Sequence, residues 1–479
     1  MESLVFSTAT SLAAAIRTKA ISSREVVDAH LAQIERHNGA LNAIVTLDAA
    51  GARARAAEAD AATARGESWG PLHGVPVTIK DSLQTAGMRT TSGFPPLAGF
   101  VPTEDATAVA RLRSAGAVIL GKTNLPPLAG DYQTTNPIFG TTNNPWDLGR
   151  AVGGSSGGSA AALASGMTPL DLGSDIGGSV RIPAHYCGVC SIKPTDSRVP
   201  LTGHIPGMPG QPLTVRHQGT IGPLARSVDD LALALQLISG PDGRTWETPP
   251  APTGGMPVRR FEGLRLAWAC DVSGVRAGAA VSAQVSSAVA RLAARGVRVE
   301  EAAPPGFDIL DALYGMGFLF GAEVGAGMPV EQALAQRPGP NAADPASRGI
   351  YDGTECSYRA YSDVLVRRDS YIAAIEAFLD RFDAWLLPVS LTPAIAHCPG
   401  GTPVDVDGTK VPYMLAGLGY TAPFNFTGQP VAVVPVGLSP EGLPIGVQLV
   451  GKLWADMDLL AVARLVEEAS GGVRRPPGY

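Results

Sequence analysis

Charge is scarce in this 479-residue chain. Asp, Glu, Lys and Arg make up 17% of it, against about a quarter in an ordinary globular protein. Hydrophobic residues reach 45%, which supplies enough apolar area to fold and excludes a disordered chain. No block of one charge sign occurs. The 37 basic and 43 acidic residues leave a net charge of −6 without a basic stripe, which argues against a nucleic-acid partner. Cysteine is sparse, with five residues; an odd, low count excludes a disulfide framework and points to reduced thiols and a cytoplasmic setting. Apolar runs such as Ala115 to Leu120 fall far short of the ~20 residues of a membrane span. Met1-Glu2-Ser3 lacks the basic start of a secretory leader. The expectation is a soluble protein with no membrane partner.

Abundance lies elsewhere, in 57 glycines and 40 prolines, which imply many tight turns. No Gly-X-Y period runs through them, so a collagen-like chain is excluded. The length suits about three average domains or one large one. Ser22 to Ile34 reads as an amphipathic helix opened by a Ser22–Glu25 capping box. Further helices are predicted over 52–64, 105–114, 228–238, 281–294, 369–382 and 457–468. Apolar runs at 75–79, 117–120, 264–268, 385–388 and 431–436 read as buried strands. Strands alternating with helices argue an α/β architecture around a mainly parallel sheet. Asp407-Gly408, between Val404–Val406 and Val411, signals a hairpin. The Pro/Gly-rich stretch 239–260 reads as a surface excursion, because the α/β texture continues on both sides.

Four motifs carry candidate chemistry. Gly116 to Thr123, GAVILGKT, fits the phosphate-loop pattern letter by letter. Its inner residues belong to a buried strand, however, and Pro126-Pro127 forbids the helix that should follow. Gly153 to Ser159, GGSSGGS, fits the nucleophile-elbow pattern with Ser155 or Ser156 at its centre. The preceding segment is too polar for the required buried strand, and none of His185, His204, His217 or His397 stands out as a base. Cys187-x-x-Cys190 lacks the second pair that a structural zinc site needs, so no metal and no cofactor is expected. In Gly173 to Arg181, GSDIGGSVR, the two glycines before Ser179 let successive amides turn toward a ligand and form a nest for a developing oxyanion.

Taken together, HGVPVTIKD (73–81), GGSSGGSAAALASGMTPLDLGSDIGGSVRIPAHYCG (153–188) and KPT (193–195) closely resemble the amidase signature family. KTN at Lys122, NPW at Asn144, TGQP at Thr427 and GLPIGVQLVG at Gly442 extend the resemblance over about residues 10–470. It implies one large α/β domain with a central mixed, mainly parallel sheet flanked by helices on both faces. Within it, 1–69 would be an N-terminal helical segment, 70–235 the signature core, and 261–479 the rest of the sheet and the pocket walls. The resemblance also implies a Ser-cisSer-Lys triad. Ser179 corresponds to the nucleophile, Ser155 to the bridging serine after a cis peptide, and Lys80 to the base, with Ile176, Gly177 and Gly178 as oxyanion donors and Ser179 itself as a further candidate. A serine hydroxyl needs a base, and a lysine serves only when neutral. Bringing its pKa to about 8 costs roughly 3.3 kcal/mol, which burial beside Val75 to Ile79 could supply. Asp175 and Arg181 are expected to pair and stiffen the oxyanion loop, and Lys193 to support it. Cys190 and Ser191 depart from the glycines of many relatives.

The family divides into stand-alone amidases and the glutaminase component of aminoacyl-tRNA amidotransferases, which works in a complex. In the latter an Asp precedes the T-x-P-x-N segment. Here Leu418 precedes Thr421-Ala422-Pro423-Phe424-Asn425, which favours a stand-alone enzyme acting on a small-molecule amide and water. Small residues at Ala129 and Gly130 leave room for a bulky acyl group. Residues 203–218, with Met208, Leu213 and Val215, and residues 314–320 are expected to form mobile apolar walls. Neutral carboxamides, anilides and carbamates fit such a pocket. A homo-oligomer is compatible with the sequence but not indicated by it.

Overall fold

The computed structural model describes residues 2–205, 207–209, 215–326, 331, 333, 334, 339 and 343–479. Eleven strands form its main sheet: β1 (Ile44–Leu47), β2 (Pro76–Lys80), β3 (Val118–Thr123), β4 (Leu170–Asp175), β5 (Cys190–Lys193), β6 (Thr220–Ala225), β7 (Arg265–Trp268), β8 (Arg298–Glu301), β9 (Ala384–Pro388), β10 (Val431–Leu438) and β11 (Pro444–Val450). Their spatial order is β1-β3-β2-β4-β6-β5-β10-β11-β9-β7-β8. In β2 to β6, β9 and β11 every residue is buried. Both faces of the sheet are therefore covered, which is why β2, the start of β3 and β9 read as continuous apolar runs rather than alternating ones.

The large α/β domain and its mixed sheet match expectation; the parallel majority does not. Among the described pairings, β2–β3, β2–β4, β7–β9 and β7–β8 are parallel. The other six are antiparallel. The physical reason is local. β10 and β11 are joined by five residues turning at Gly442, whose φ is 81°, and such a tight connection returns the chain antiparallel. The hairpin at Asp407-Gly408 has φ of 51° and 86° at its two turn residues, as a primed turn requires.

Helices follow the sequence closely where caps and periodicity agree. Ser22 caps Ser23–Leu41 with the full capping box, and Ser227 caps Val228–Ile238. The stretch 314–320, expected as a mobile wall, lies inside a regular helix, Ile309–Ala326. That helix is long and apolar enough to cross a membrane by composition, and 56% of it is buried within the protein. Its partner Pro345–Thr354 approaches backbone to backbone: a Cβ on Gly317 would meet Ala346 O at 2.2 Å, and one on Gly349 would meet Tyr314 O at 2.2 Å. Glycine serves close packing here, not a turn.

The N-terminal segment is tied to the sheet by two buried side chains. Arg226, after β6, donates to the carbonyls of Val5 and Ser7 and also of Leu163 and Thr168. One turn later, the Asp230 carboxylate accepts from the amides of Ala9 and Thr10 at 2.8 Å each.

Candidate active site

Lys80 ends β2, where the two flanking strands and the covering helices remove it fully from solvent. Its Nζ donates to Ser155 Oγ at 2.7 Å and to Ser174 Oγ at 3.0 Å. Burial lowers the lysine from its ordinary value to about 7, although Asp175 and Asp171 pull in the other direction. Ser155 is equally buried and opens the turn into helix Gly157–Ala164. The Gly154–Ser155 peptide bond is cis. Ser179 lies in the loop between β4 and helix Arg181–Cys187. It is partly exposed and lines a cavity, while its carbonyl accepts from the Ser156 amide at 3.0 Å. Two of the three residues implied by the resemblance are thus in direct contact, and the third borders the cavity beside them. Ser174, one step from Asp175 on β4, lies inside the GSDIGGSVR motif, but its contact with Lys80 was not legible in advance.

Asp175 organises the loop that bears Ser179. With Arg181 it forms a fully buried, two-pronged ion pair, at 2.9 and 3.1 Å. Burial alone would raise the Asp175 carboxyl, yet the Arg181 charge and hydrogen bonds from Arg181, Asn425 and the Val180 amide hold it well below the usual carboxylate range. The same carboxylate accepts from the Gly178 amide at 2.8 Å. This corrects one expectation: Gly178 N–H is committed inward and is not presented as an oxyanion donor. No such internal bond engages the amides of Ile176, Gly177 or Ser179 among the described residues. On the other side, Thr421 Oγ1 donates to Gly177 O at 2.7 Å. Gly178 has φ of 134°, and a Cβ there would meet Thr421 Oγ1 at 2.4 Å, so only glycine fits.

The cavity has a volume of about 140 Å³. Ala129 and Gly130 line it, with Ile176, Gly177 and Ser179. Met316 and Phe320 reach it from helix Ile309–Ala326, and Leu418 closes another side. Among the described lining residues Asp131 is the one carboxylate, and none carries a cationic side chain. Sequence reading missed Ile182, Ile350 and Met414, whose apolar character gives no positional signal. Of the other expected walls, Met208 and Val215 are not among the described residues lining the cavity, Val215 being buried elsewhere, and Leu213 lies outside the described residues.

The remaining motifs are structural. Lys122 sits on β3 with its ammonium donating to Thr85 Oγ1 at 2.7 Å and to Leu83 O, so GAVILGKT is strand, not phosphate loop. Cys187 Sγ points to Val152 O and Cys190 Sγ toward Glu467. Backbone groups of Gly446 and Thr392 engage both ring nitrogens of His185. Lys193 Nζ donates to Pro194 O at 2.8 Å.

Comparison with known proteins identifies the family. The family model described as Amidase matches residues 25–460. A glutamyl-tRNA(Gln) amidotransferase component from Synechococcus sp. (strain CC9902) is 36% identical, over 95% of each chain. A 6-aminohexanoate cyclic dimer hydrolase superposes with a TM-score of 0.81 at 30% identity, over 99% of each chain. A bacterial aryl acylamidase of the amidase signature enzymes superposes with a TM-score of 0.83 at 27% identity, over 97% of this chain and 96% of that one. The chain is an amidase and belongs to the amidase signature family.

Proposed function

We propose that the protein hydrolyses the C–N bond of neutral amides through an acyl-enzyme on Ser179. The observation that carries this reading is the 2.7 Å hydrogen bond from Lys80 Nζ to Ser155 Oγ in a fully buried setting. A lysine near pKa 7 is neutral often enough at physiological pH to accept a proton. Ser179 Oγ attacks the substrate carbonyl carbon while its proton passes to Ser155 Oγ, whose own proton moves to Lys80 Nζ. The tetrahedral oxyanion takes hydrogen bonds from the amides of Ile176, Gly177 and Ser179. As the C–N bond breaks, the amine leaves with a proton returned along the same path. Water then attacks the carbonyl carbon of the Ser179 ester while its proton passes through Ser155 to Lys80; the Ser179 Oγ–C bond breaks, the proton returns to Ser179 Oγ, and the acid is released.

The apolar cavity supports carboxamides, anilides or carbamates with a hydrophobic acyl group as substrates. A second reading, the glutaminase component of an aminoacyl-tRNA amidotransferase, draws on the names of the curated relatives. Glutamine carries a carboxylate that this cavity does not match with a cation among its described lining residues, and Leu418 stands at the position where the resemblance places an Asp. A panel of p-nitroanilides, primary amides, aryl carbamates and glutamine, assayed on the purified chain, separates the two. Turnover of anilides or carbamates by the isolated protein supports the proposal. Activity on glutamine alone, and only with a copurifying partner, overturns it.

A further inference from the structure

Asp171 is a fully buried carboxylate that none of the proposed steps uses. It stands opposite Thr78 in the parallel register of β2 and β4. Thr78 and Lys80 are alternate residues of β2, so their side chains share one face of the sheet. Asp171 Oδ2 accepts from Thr78 Oγ1 at 2.6 Å and from Thr123 Oγ1 at 3.2 Å. Thr123 Oγ1 lies 3.0 Å from Ser159 Oγ, on the helix that follows Ser155. Asp171 Oδ1 is buried without a hydrogen-bond partner among the described residues. Such an orphan oxygen is costly in a protein interior, so stability alone gives no reason for a carboxylate here.

We infer that Asp171 is a positioning residue for the Lys80–Ser155 pair: one carboxylate gathers hydroxyls from the strand carrying Lys80 and from β3, reaches through β3 to the helix following Ser155, and faces Lys80 as a counter-charge. The inference rests on the reading of Lys80 as the base. The other charged groups around the pair are already answered. Asp175, on the same strand, is locked by Arg181. Lys122, adjacent to Thr123 and so on the opposite face of β3, donates to Thr85 Oγ1 and Leu83 O instead. His204, beside Lys80, is pushed by burial to about 3 and stays neutral. Burial raises Asp171 itself to about 6, against the hydrogen bonds of Thr78 and Thr123 and the nearby Ser159 hydroxyl. Above that pH the carboxylate is charged and favours the ammonium form of Lys80. Removing the charge lowers the lysine further.

The test is Asp171→Asn, which keeps the shape and removes the charge, read by the pH dependence of Ser179 labelling with an alkyl fluorophosphonate. In that reaction the Ser179 Oγ–P bond forms, fluoride leaves and the serine proton passes to Lys80, so no natural substrate is needed. The acid limb of the labelling rate is expected to move about half a pH unit or more toward acid. A purely structural role would lower the rate and leave the limb in place. A wild-type limb near neutrality that Asp171→Asn leaves unmoved overturns the inference and spares the base assignment. A Lys80→Ala variant that labels at the wild-type rate instead overturns the assignment of the base. Where Asp171→Asn does not fold, Thr123→Val removes one hydroxyl from the carboxylate, leaves it less ionised, and is expected to move the limb in the same direction by less. An unmoved limb in that folded variant also overturns the inference.

Discussion

The most direct perturbation is the proton on Lys80. An ordinary lysine, at 10.5, is neutral in roughly three molecules per ten thousand at pH 7; at about 7 it is neutral in half of them. The gain in competent enzyme is therefore about 10³-fold, entirely from burial beside Ser155 and Ser174. The sign is fixed. Below about pH 7 the amine is charged and cannot accept the relayed proton, so kcat/KM for a p-nitroanilide should fall about tenfold per pH unit and level off above about 8. At pH 6 the rate should be about a tenth of the plateau. Lys80→Arg installs a cation that stays charged, so activity should drop by about 10³ or more and not return at pH 10. A profile flat from pH 5 to 8, or an active Lys80→Arg enzyme, would refute the reasoning.

Other variants read other parts of the site. Ser179→Ala should abolish turnover, whereas Ser155→Ala should leave measurable residual rate because it interrupts the relay and not the bond to carbon; steady-state kinetics on one anilide orders the two. Gly178→Ala should cost about 10² or more in kcat, since its Cβ would meet Thr421 Oγ1 at 2.4 Å and its backbone would be strained. Asp175→Asn leaves Arg181 buried without its counter-charge and should cost about 3–5 kcal/mol in urea unfolding. Because the folded-state pKa of Asp175 is depressed, that contribution is present above the ordinary carboxylate range and fades as pH falls through the acid range. Lys80→Met should behave oppositely: the unfolded chain binds the lysine proton up to about 10.5 and the folded chain only to about 7. Wild-type stability therefore declines from pH 10 to 7, and the variant should lose that slope in denaturant titrations at the two pH values.

Much of this was legible where local and tertiary signals agree. Helix Val228–Ile238 combines a Ser227 cap with a clean apolar period, and Val431–Leu438 extends a buried run already visible as Val431–Val436. β4 was hidden because Asp171, Ser174 and Asp175 read as loop chemistry, yet each is satisfied or faced by groups far away in sequence. Helix Ile309–Ala326 was hidden by Gly315, Gly317 and Gly321, which look like breakers until the partner helix supplies the close approach that uses them. The mixed sheet was readable as a sheet, but strand direction depends on which neighbours meet across the fold. Within the site, the family resemblance pointed to Lys80, Ser155 and Ser179. The diversion of the Gly178 amide to Asp175 required coordinates, because a pattern of glycines states where amides are free to turn and not which acceptor captures them.

The anchoring of the first residues by Arg226 and Asp230 has a consequence for synthesis. Val5, Ser7, Ala9 and Thr10 await partners encoded about 220 residues later. At roughly 5–20 residues per second, the leading helices spend roughly 10–40 s outside the ribosome before their docking groups emerge. Residues 5–10 are thus seated only after their partners near residue 230 emerge, and a nascent chain arrested before residue 226 should leave them open to protease.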